Sequence, residues 1–249
     1  MTKENMKLFW VFLLLITPAL MAQDKEPTDP KETEVWEPRV PVVNPTAVPS
    51  DAIVLFDGSN FDQWKSSRTG GAVAWNLNED GSMTVKDKTG DIETKQNFGD
   101  IQLHLEWRSN PDNMAEGQAR SNSGVFLQGR YEVQVLDNND NPTYVNGQAA
   151  SIYKQSPPLA QALVKTGEWN TYDIIYRAPK FDEAGKKLQS ATITVLHNGV
   201  LVQDHFEIQG TTEYIGWPKN EAHGDGPIKL QDHEDKSGVS YRNIWVRKI

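Results

Sequence analysis

From Asp51 onward, apolar and polar residues alternate in short runs that end at Gly, Asn or Asp. The run 101–108 reads Ile-Gln-Leu-His-Leu-Glu-Trp-Arg, and the run 131–135 reads Tyr-Glu-Val-Gln-Val. A period of two puts one set of side chains on the buried face of a strand and the other set on the opposite face. A succession of such strands predicts an all-β protein, a jelly-roll β-sandwich of two antiparallel sheets.

Other elements are indicated by turn residues and by shorter patterns. The dipeptide Asn198-Gly199 lies between two apolar runs and typically closes a two-residue hairpin. Further strands are expected at residues 228–233 and 241–249. One short helix is expected, at Leu159–Lys165.

The tryptophans and one tyrosine divide into two groups by their surroundings. Trp64, Trp107 and Trp245 stand among apolar strand residues and are expected in the core. Trp217 and Tyr153 stand in loops that contain Gly or Pro, which makes them candidates for stacking on a sugar ring.

Residues 1–22 have the features of a secretory signal peptide. Lys3 and Lys7 precede the apolar run Leu8–Ile16, which is far shorter than the roughly 20 residues that cross a bilayer. We expect cleavage after Ala22 and a secreted or periplasmic product with no membrane insertion once the signal is removed.

The remaining chain divides into a linker and one domain. Residues 23–50 are rich in Pro and acidic residues and lack apolar periodicity, as in a linker or extended arm. Residues 51–249 carry the strand pattern and form the expected folded domain.

Composition excludes several functions. The chain has no cysteine, so disulfides, thiol nucleophiles, zinc–thiolate sites and iron–sulfur clusters are ruled out. Its formal net charge of −9 gives no general attraction to the phosphates of nucleic acids, and no nucleic-acid partner is expected.

Three predicted strands carry titratable or amide side chains on the face opposite their apolar residues. Sugar hydroxyls need paired donors and acceptors, which amides, carboxylates and imidazoles supply. The alternative is an ordinary solvated outer sheet. The three rows are His104, Glu106 and Arg108, then Glu132 and Gln134, and finally Lys229, Gln231 and His233.

Neither a conventional glycosidase pair nor a metal motif is indicated. Glu132 and Asp137 fall on opposite faces of one strand unless a bulge intervenes, whereas a glycosidase needs two carboxyl groups flanking the bond. The segment Asp137–Asn141 is oxygen-rich but lacks the ligand spacing of a calcium loop, which favours a polar turn. His223 and His233 do not have the spacing of a known metal motif. We therefore expect no metal-ligating residues.

Several segments resemble, in order, the signatures of one protein family. They are Ile53–Gly58 with Phe61–Trp64, Asn122–Asp137, Gly167–Asn170, Asn198-Gly199, Gly226–His233 and Arg242–Trp245. Together they resemble the 3-keto-disaccharide hydrolase domain over residues 51–249. The resemblance implies a concanavalin A-like jelly roll, export to the periplasm of a Gram-negative bacterium, and cleavage of glycosides whose sugar carries a ketone at C3. After His233 the chain has an acidic turn, Glu234–Gly238, that is longer than is usual in this family.

The implied substrate gives the candidate residues a chemistry. A ketone at C3 acidifies the C2 hydrogen, so a base can remove it, the C1 substituent can leave, and water can add to the enone. This route needs one base, one acid and donors for the developing enolate. We expect Glu132 and His233 to be the catalytic pair, one as base and the other as acid. The residues expected to bind the substrate are Gln134, Lys229, Gln231, Asn122, Arg108, His104, Glu106 and Tyr153.

The expected partner is a small-molecule carbohydrate, and no cofactor is expected. A divalent metal that chelates the ketone and a neighbouring hydroxyl is left open. Two other functions are also left open: a non-catalytic, lectin-like glycan-binding module of the cell envelope, and a structural envelope protein. Acidic side chains close to a histidine favour an enzyme, because a lectin needs only amides, aromatics and, in some cases, calcium.

Overall fold

The computed structural model describes residues 28–35 and 37–249, so the expected signal peptide at residues 1–22 lies outside the described part of the chain. The chain divides into two units at Val43. In the first unit, a 3₁₀ turn at Pro30–Thr33 is capped by Asp29, whose carboxylate accepts a hydrogen bond from the Lys31 amide at 3.0 Å. The second unit, Val43–Ile249, is the β domain. No helix among the described residues is long and apolar enough to cross a membrane.

Strands and short 3₁₀ turns make up the regular structure of the described domain. Two 3₁₀ turns lie at Gly117–Ala119 and Val145–Gly147. The strands are β1 Ile53–Phe56, β2 Trp64–Ser66, β3 Asn76–Leu77, β4 Met83–Thr84, β5 Ile92–Thr94, β6 Ile101–Arg108, β7 Ser123–Leu127, β8 Tyr131–Val135, β9 Asn170–Arg177, β10 Lys180–Phe181, β11 Lys187–Gln189, β12 Thr192–His197, β13 Val200–Glu207, β14 Lys229–Leu230 and β15 Ser240–Lys248.

These strands form two main sheets. The larger sheet has the order β13-β12-β9-β6-β15-β4-β3, with β1 also paired to β15. The smaller sheet has the order β2-β5-β14-β7-β8. The pairings within both sheets are antiparallel, and β10 and β11 form a separate two-stranded ribbon. The predicted antiparallel sandwich is confirmed.

The alternation in the sequence matches the alternating burial along β6, β9 and β12 of the larger sheet. Strand β6 alternates buried and half-buried residues over its whole length. Strands β12 and β13 meet at Asn198-Gly199, where φ is 52° and 77°, as a tight hairpin turn of the primed type requires. Strands β7 and β8 differ, because every residue in both is buried. Both of their faces are therefore covered.

The free edge of β8 is covered by two loop segments. The Ala150 amide donates to the Gln134 carbonyl at 2.9 Å, and the Tyr153 amide donates to the Glu132 carbonyl at 3.2 Å. The Glu132 amide donates to Thr212 Oγ1 at 3.0 Å. These bonds hold Tyr153 and Thr212 beside the polar residues of β8.

The core lies between the two sheets and is crossed by tyrosines of the larger sheet. Tyr172 Oη donates to the Gln134 carbonyl at 2.8 Å, and Tyr176 Oη donates to Gln128 Oε1 at 2.7 Å. Tyr241 Oη donates to Ser123 Oγ at 2.6 Å. The three acceptors belong to β7, β8 and the turn between them. Trp64 and Trp107 are buried in this core, as expected from the sequence. Trp245 is also buried, but it stacks on His104 on the outer face of the larger sheet, so its expected place in the core was wrong.

The prediction of a short helix at Leu159–Lys165 is wrong, because this segment has no regular secondary structure. Its backbone groups bond to neighbouring segments instead of to each other. The Leu159 amide donates to the Val202 carbonyl at 2.8 Å, and Asn198 Nδ2 donates to the Ala162 carbonyl at 2.7 Å. Tertiary hydrogen bonds have replaced the bonds that a helix would make.

The strand expected at residues 228–233 is shorter than predicted. Strand β14 ends at Leu230, and the Gln231 amide makes one more bond to the Gly124 carbonyl, at 3.1 Å. His233 therefore lies in a loop beyond the strand, and strand periodicity does not determine its direction.

Two leucines test the assignment of the buried faces. Leu103 in β6 is fully buried, whereas Leu201 in β13 is 42% exposed. We expect Leu103→Ala to lower the free energy of unfolding by about 2–5 kcal/mol, because it removes packed atoms and leaves a cavity. Leu201→Ala is the matched control and should change it by less than about 0.5 kcal/mol. Urea denaturation measures both, and equal losses would contradict the assignment.

Candidate active site

The residues expected to act on substrate meet at a cavity of about 220 Å³ on the face of the smaller sheet that lies opposite the core. Six of the ten predicted residues line it, and their roles stay predictions. The lining residues are Asn122, Phe126, Glu132, Gln134, Tyr153, Thr212, Tyr214, Gln231 and His233. We call this space the site cavity.

Glu132 brings a buried carboxyl group to the site cavity. Its side chain leans over Gly124 in β7, where an added Cβ would overlap Glu132 Oε1 and lie 2.8 Å from the Phe126 ring. Desolvation raises the pKa of Glu132 from its ordinary value of 4.5 to about 8, against the opposing effect of the Lys229 ammonium group. The carboxyl group is therefore mostly protonated at neutral pH.

His233 pairs with a carboxylate two residues further along the chain. His233 Nδ1 lies 2.7 Å from Asp235 Oδ2, and 40% of the imidazole side chain is exposed. A carboxylate at Nδ1 favours the tautomer with its proton on Nδ1, which leaves Nε2 with a free lone pair. This arrangement is typical of a histidine that accepts protons.

Two glutamines give the site cavity acceptors without partners. Gln134 Nε2 donates to Gln118 Oε1 at 3.0 Å and lies 3.3 Å from Asn122 Oδ1, which fixes the orientation of its amide. Gln134 Oε1 and Gln231 Oε1 are buried and have no hydrogen-bond partner among the described residues. Buried acceptors are normally satisfied, so these two oxygens are suited to sugar hydroxyls.

Tyr153 forms one side of the site cavity. Its hydroxyl oxygen lies 2.7 Å from the hydroxyl oxygen of Tyr144, and desolvation by burial raises the pKa of Tyr153 above its usual range. The phenol therefore keeps its proton through neutral and mildly alkaline pH and can serve as a hydrogen-bond donor.

Lys229 lies beside the site cavity but does not line it. Its ammonium group is 2.9 Å from an Asp91 carboxylate oxygen and 4.1 Å from the centroid of the Phe126 ring. The expected contact between Lys229 and substrate stays a prediction. Lys229 acts on the site through its charge, which opposes the rise in the pKa of Glu132.

His104, Glu106 and Arg108 are not brought to the site cavity, and their placement there was wrong. All three lie on β6 in the larger sheet, on its outer face. Alternation assigns a residue to a face of its own strand, but it does not assign that strand to a sheet.

Each of these three side chains has partners on that outer face. His104 Nδ1 lies 2.7 Å from Asp173 Oδ1, and the His104 ring stacks on Trp245 with centroids 5.0 Å apart. Arg242 Nε donates to Glu106 Oε2 at 2.6 Å. Arg108 donates to Asp80 at 3.1 Å. They form an ordinary ion-paired surface.

Four residues of the site were missed by sequence reasoning. Phe126 is the cross-strand neighbour of Glu132, which only the register reveals. Thr212 and Tyr214 lie in a loop without periodicity, and the nearby Trp217 was the available signal. Asp235 lies in the acidic turn, where its separation of two residues from His233 could have identified it.

Asp137 belongs to a polar turn, the structure that the sequence favours for Asp137–Asn141. Asp137 Oδ1 accepts from the Asn139 amide at 3.1 Å and Oδ2 accepts from Thr166 Oγ1 at 2.7 Å, so these carboxylate oxygens stabilise a turn. No group of three or more His, Asp or Glu side chains in the described part of the chain is arranged to hold a metal ion.

Comparison with known proteins places the chain in a family. The family profile described as the 3-keto-alpha-glucoside-1,2-lyase-like domain matches residues 51–247. The chain belongs to this family. The resemblance inferred from the sequence motifs is thereby confirmed.

Solved structures agree in fold. A "putative glycosyl hydrolase" from Parabacteroides distasonis ATCC 8503 is 53% identical, covers 89% of this chain and 97% of its own, and superposes with a TM-score of 0.85. A second protein with the same description and source is 19% identical over 80% of this chain and 94% of its own, with a TM-score of 0.58, and supports the fold alone. No curated protein sequence matches the chain. Family and relative together support a carbohydrate-active enzyme.

The raised pKa of Glu132 makes stability depend on pH. The folded chain holds a proton on Glu132 that the unfolded chain releases above its ordinary pKa of 4.5, so folding loses stability as pH rises from 4.5 to about 8. Glu132→Gln removes this loss. We expect the free energy of unfolding of Glu132→Gln, relative to wild type, to rise with pH at up to about 1.4 kcal/mol per unit within this range.

The measurement is urea denaturation at a series of pH values across that range. Glu79→Gln is the matched control, because Glu79 is exposed on a turn of the larger sheet. Its difference from wild type should stay flat. A flat difference for Glu132→Gln as well would show that the carboxyl group ionises normally.

Proposed function

We propose that this protein is an exported enzyme that cleaves glycosides carrying a ketone at C3 of the sugar, by elimination followed by addition of water. The main support for this proposal is the buried, protonated carboxyl group of Glu132, which shares a small cavity with the His233 imidazole and its partner Asp235. A conventional glycosidase requires two carboxyl groups flanking the bond. Glu132 is the sole carboxyl group among the described residues that line the site cavity.

His233 is the base in this proposal. Its Nδ1–H is held by Asp235, so Nε2 is the atom that takes the proton from C2 of the sugar. The Asp235 carboxylate then stabilises the imidazolium that forms. Of the two arrangements that the sequence left open, the proposal therefore takes the one with His233 as base and Glu132 as acid.

Glu132 is the acid. Burial keeps its carboxyl group protonated at neutral pH, so it can donate a hydrogen bond to the C3 oxygen as negative charge develops there. A neutral acid in a desolvated position stabilises an enolate more strongly than a solvated donor does. Gln134 Oε1 and Gln231 Oε1 accept hydrogen bonds from the hydroxyl groups of the same sugar.

The steps balance without an oxidant or a reductant. His233 removes the C2 proton, and the electron pair forms the enolate at C3. The enolate re-forms the ketone as the C1–O bond breaks, which leaves a C1=C2 double bond. The departing oxygen takes up a proton and leaves as an alcohol, and the water that later adds to C1 gives up a proton that replaces it. Water then adds to C1, and His233 returns its proton to C2. The net reaction consumes one molecule of water.

Export is part of the proposal and is supported by the apolar run Leu8–Ile16 in the sequence. We expect intact-mass analysis of the envelope fraction to find a mature chain that begins at Gln23. Retention of residues 1–22 in that fraction would refute the proposed cleavage.

Cleavage in deuterated water tests the reaction. We expect wild type to release sugar from 3-keto-trehalose but not from trehalose, whose C2 hydrogen is not acidic. The released 3-keto sugar should carry deuterium at C2, because the proton that returns to C2 exchanges with solvent. We expect His233→Ala to lower kcat by roughly 10²–10⁴-fold. Mass spectrometry and proton NMR of the product measure both effects.

His104→Ala is the matched control and should leave turnover unchanged, because His104 lies on the outer face of the other sheet. Product incubated with His233→Ala gives the correction for exchange without the enzyme. Product free of deuterium at C2 would refute elimination. Binding of both sugars without cleavage would instead favour a lectin-like module.

A further inference from the structure

A second cavity adjoins the site cavity and is larger, about 400 Å³. Tyr153 lines both cavities, so its side chain stands at their boundary. The second cavity lies within the range of about 300–1,000 Å³ that is usual for small-molecule sites. Its other lining residues include Tyr144, Gln209, Glu213 and Trp217.

One loop forms a wall of both cavities. Residues 211–219 are closed at their base, where the Thr211 amide donates to the Lys219 carbonyl at 2.9 Å. Thr212 and Tyr214 face the site cavity, whereas Glu213 and Trp217 line the second cavity. A molecule that spans the two cavities would pass this loop on one side and Tyr153 on the other.

We propose that the second cavity binds a ring of the leaving group, and that the Tyr153 hydroxyl donates its proton to the departing oxygen. This inference rests on the proposed function, because it needs the 3-keto sugar in the site cavity. The bond that breaks would then lie at the boundary of the two cavities, next to Tyr153.

The walls of the second cavity suit a ring with an apolar face and hydroxyl groups. The Trp217 side chain is 88% exposed, so its indole is available to stack on such a ring. Gln209 and Glu213 place an amide and a carboxylate on the same walls. A second sugar ring has both an apolar face and hydroxyl groups. The proposed leaving group is therefore a ring-bearing alcohol such as a second pyranose.

Lys154 contacts both Tyr153 and the loop of residues 211–219, which lie on opposite sides of the boundary between the two cavities. Its ammonium group lies 4.5 Å from the centroid of the Tyr214 ring and 5.6 Å from that of Tyr153, and it donates to the Tyr214 carbonyl. A cation over aromatic rings is attracted by their negative faces. Lys154 thus holds the loop at a fixed distance from Tyr153.

The proton transfer balances with the elimination. The Tyr153 hydroxyl gives its proton to the leaving oxygen as the C1–O bond breaks, and the Tyr144 hydroxyl 2.7 Å away donates a hydrogen bond to the phenolate that forms. The water that adds to C1 returns a proton to Tyr153. Burial keeps the pKa of Tyr153 high, which matches the weak acidity of a sugar alcohol.

Three substrates with different leaving groups test the inference: 3-keto-trehalose, methyl 3-keto-α-glucoside and p-nitrophenyl 3-keto-α-glucoside. We expect Trp217→Ala to raise KM for 3-keto-trehalose by roughly tenfold and to leave the methyl glycoside unchanged, because methanol is too small to reach the indole. Ile215→Ala is the matched control, since Ile215 is 82% exposed in the same loop but lines neither cavity.

The second variant tests the proton donor. We expect Tyr153→Phe to lower kcat by roughly 10²–10⁴-fold for 3-keto-trehalose and the methyl glycoside. It should have little effect on the p-nitrophenyl glycoside, because p-nitrophenolate leaves without a proton. Tyr131→Phe is the matched control, because the Tyr131 hydroxyl contacts His223 and does not line the cavities.

The outcomes separate this inference from the proposed function. If wild type cleaves none of the three glycosides, the proposed function fails and the inference fails with it. If wild type cleaves them but Trp217→Ala affects the methyl glycoside as strongly as 3-keto-trehalose, the second cavity does not bind the leaving group. Equal losses on all three substrates for Tyr153→Phe would refute its role as proton donor.

Discussion

Three tyrosine hydroxyls cross the core of the domain, and the position of the site depends on them. Tyr172, Tyr176 and Tyr241 extend from the larger sheet and donate to groups of β7, β8 and their turn. A buried hydroxyl without a partner is costly, so these bonds favour one alignment of the two sheets. With the core side of β8 fixed in this way, Glu132 and Gln134 must face away from the core, toward the site cavity.

The fold was predictable where local pattern and tertiary structure agree. The alternation over residues 101–108 and 131–135 gave strands with those bounds, because burial of one face dictates a period of two. The irregular path of Leu159–Lys165 was not predictable. Its backbone partners lie on β13 and on the Asn198 side chain, which are distant in sequence. Local propensity contains no information about such partners.

The site was predictable in part for a related reason. Glu132, Gln134 and Gln231 could be identified as polar side chains interrupting apolar strands, and they do line one cavity. His104 has the same sequence signature but belongs to the other sheet, where Asp173 satisfies it. Alternation gives a side chain its face and leaves its sheet undetermined. The loop that carries Thr212 and Tyr214 has no period at all, so its approach to β8 could be found only from the structure.

The raised pKa of the Glu132 carboxyl group depends on the absence of a side chain at Gly124. Gly124 leaves open the space over which the Glu132 carboxyl group lies, and a methyl group there would overlap Oε1. A displaced carboxyl group would have to turn toward water, where the pKa of a glutamate returns to its ordinary value. The protonation of Glu132 at neutral pH therefore depends on Gly124 in the neighbouring strand β7. Under the proposed mechanism, a substitution at Gly124 would change Glu132 from an acid to a carboxylate base without replacing the glutamate itself.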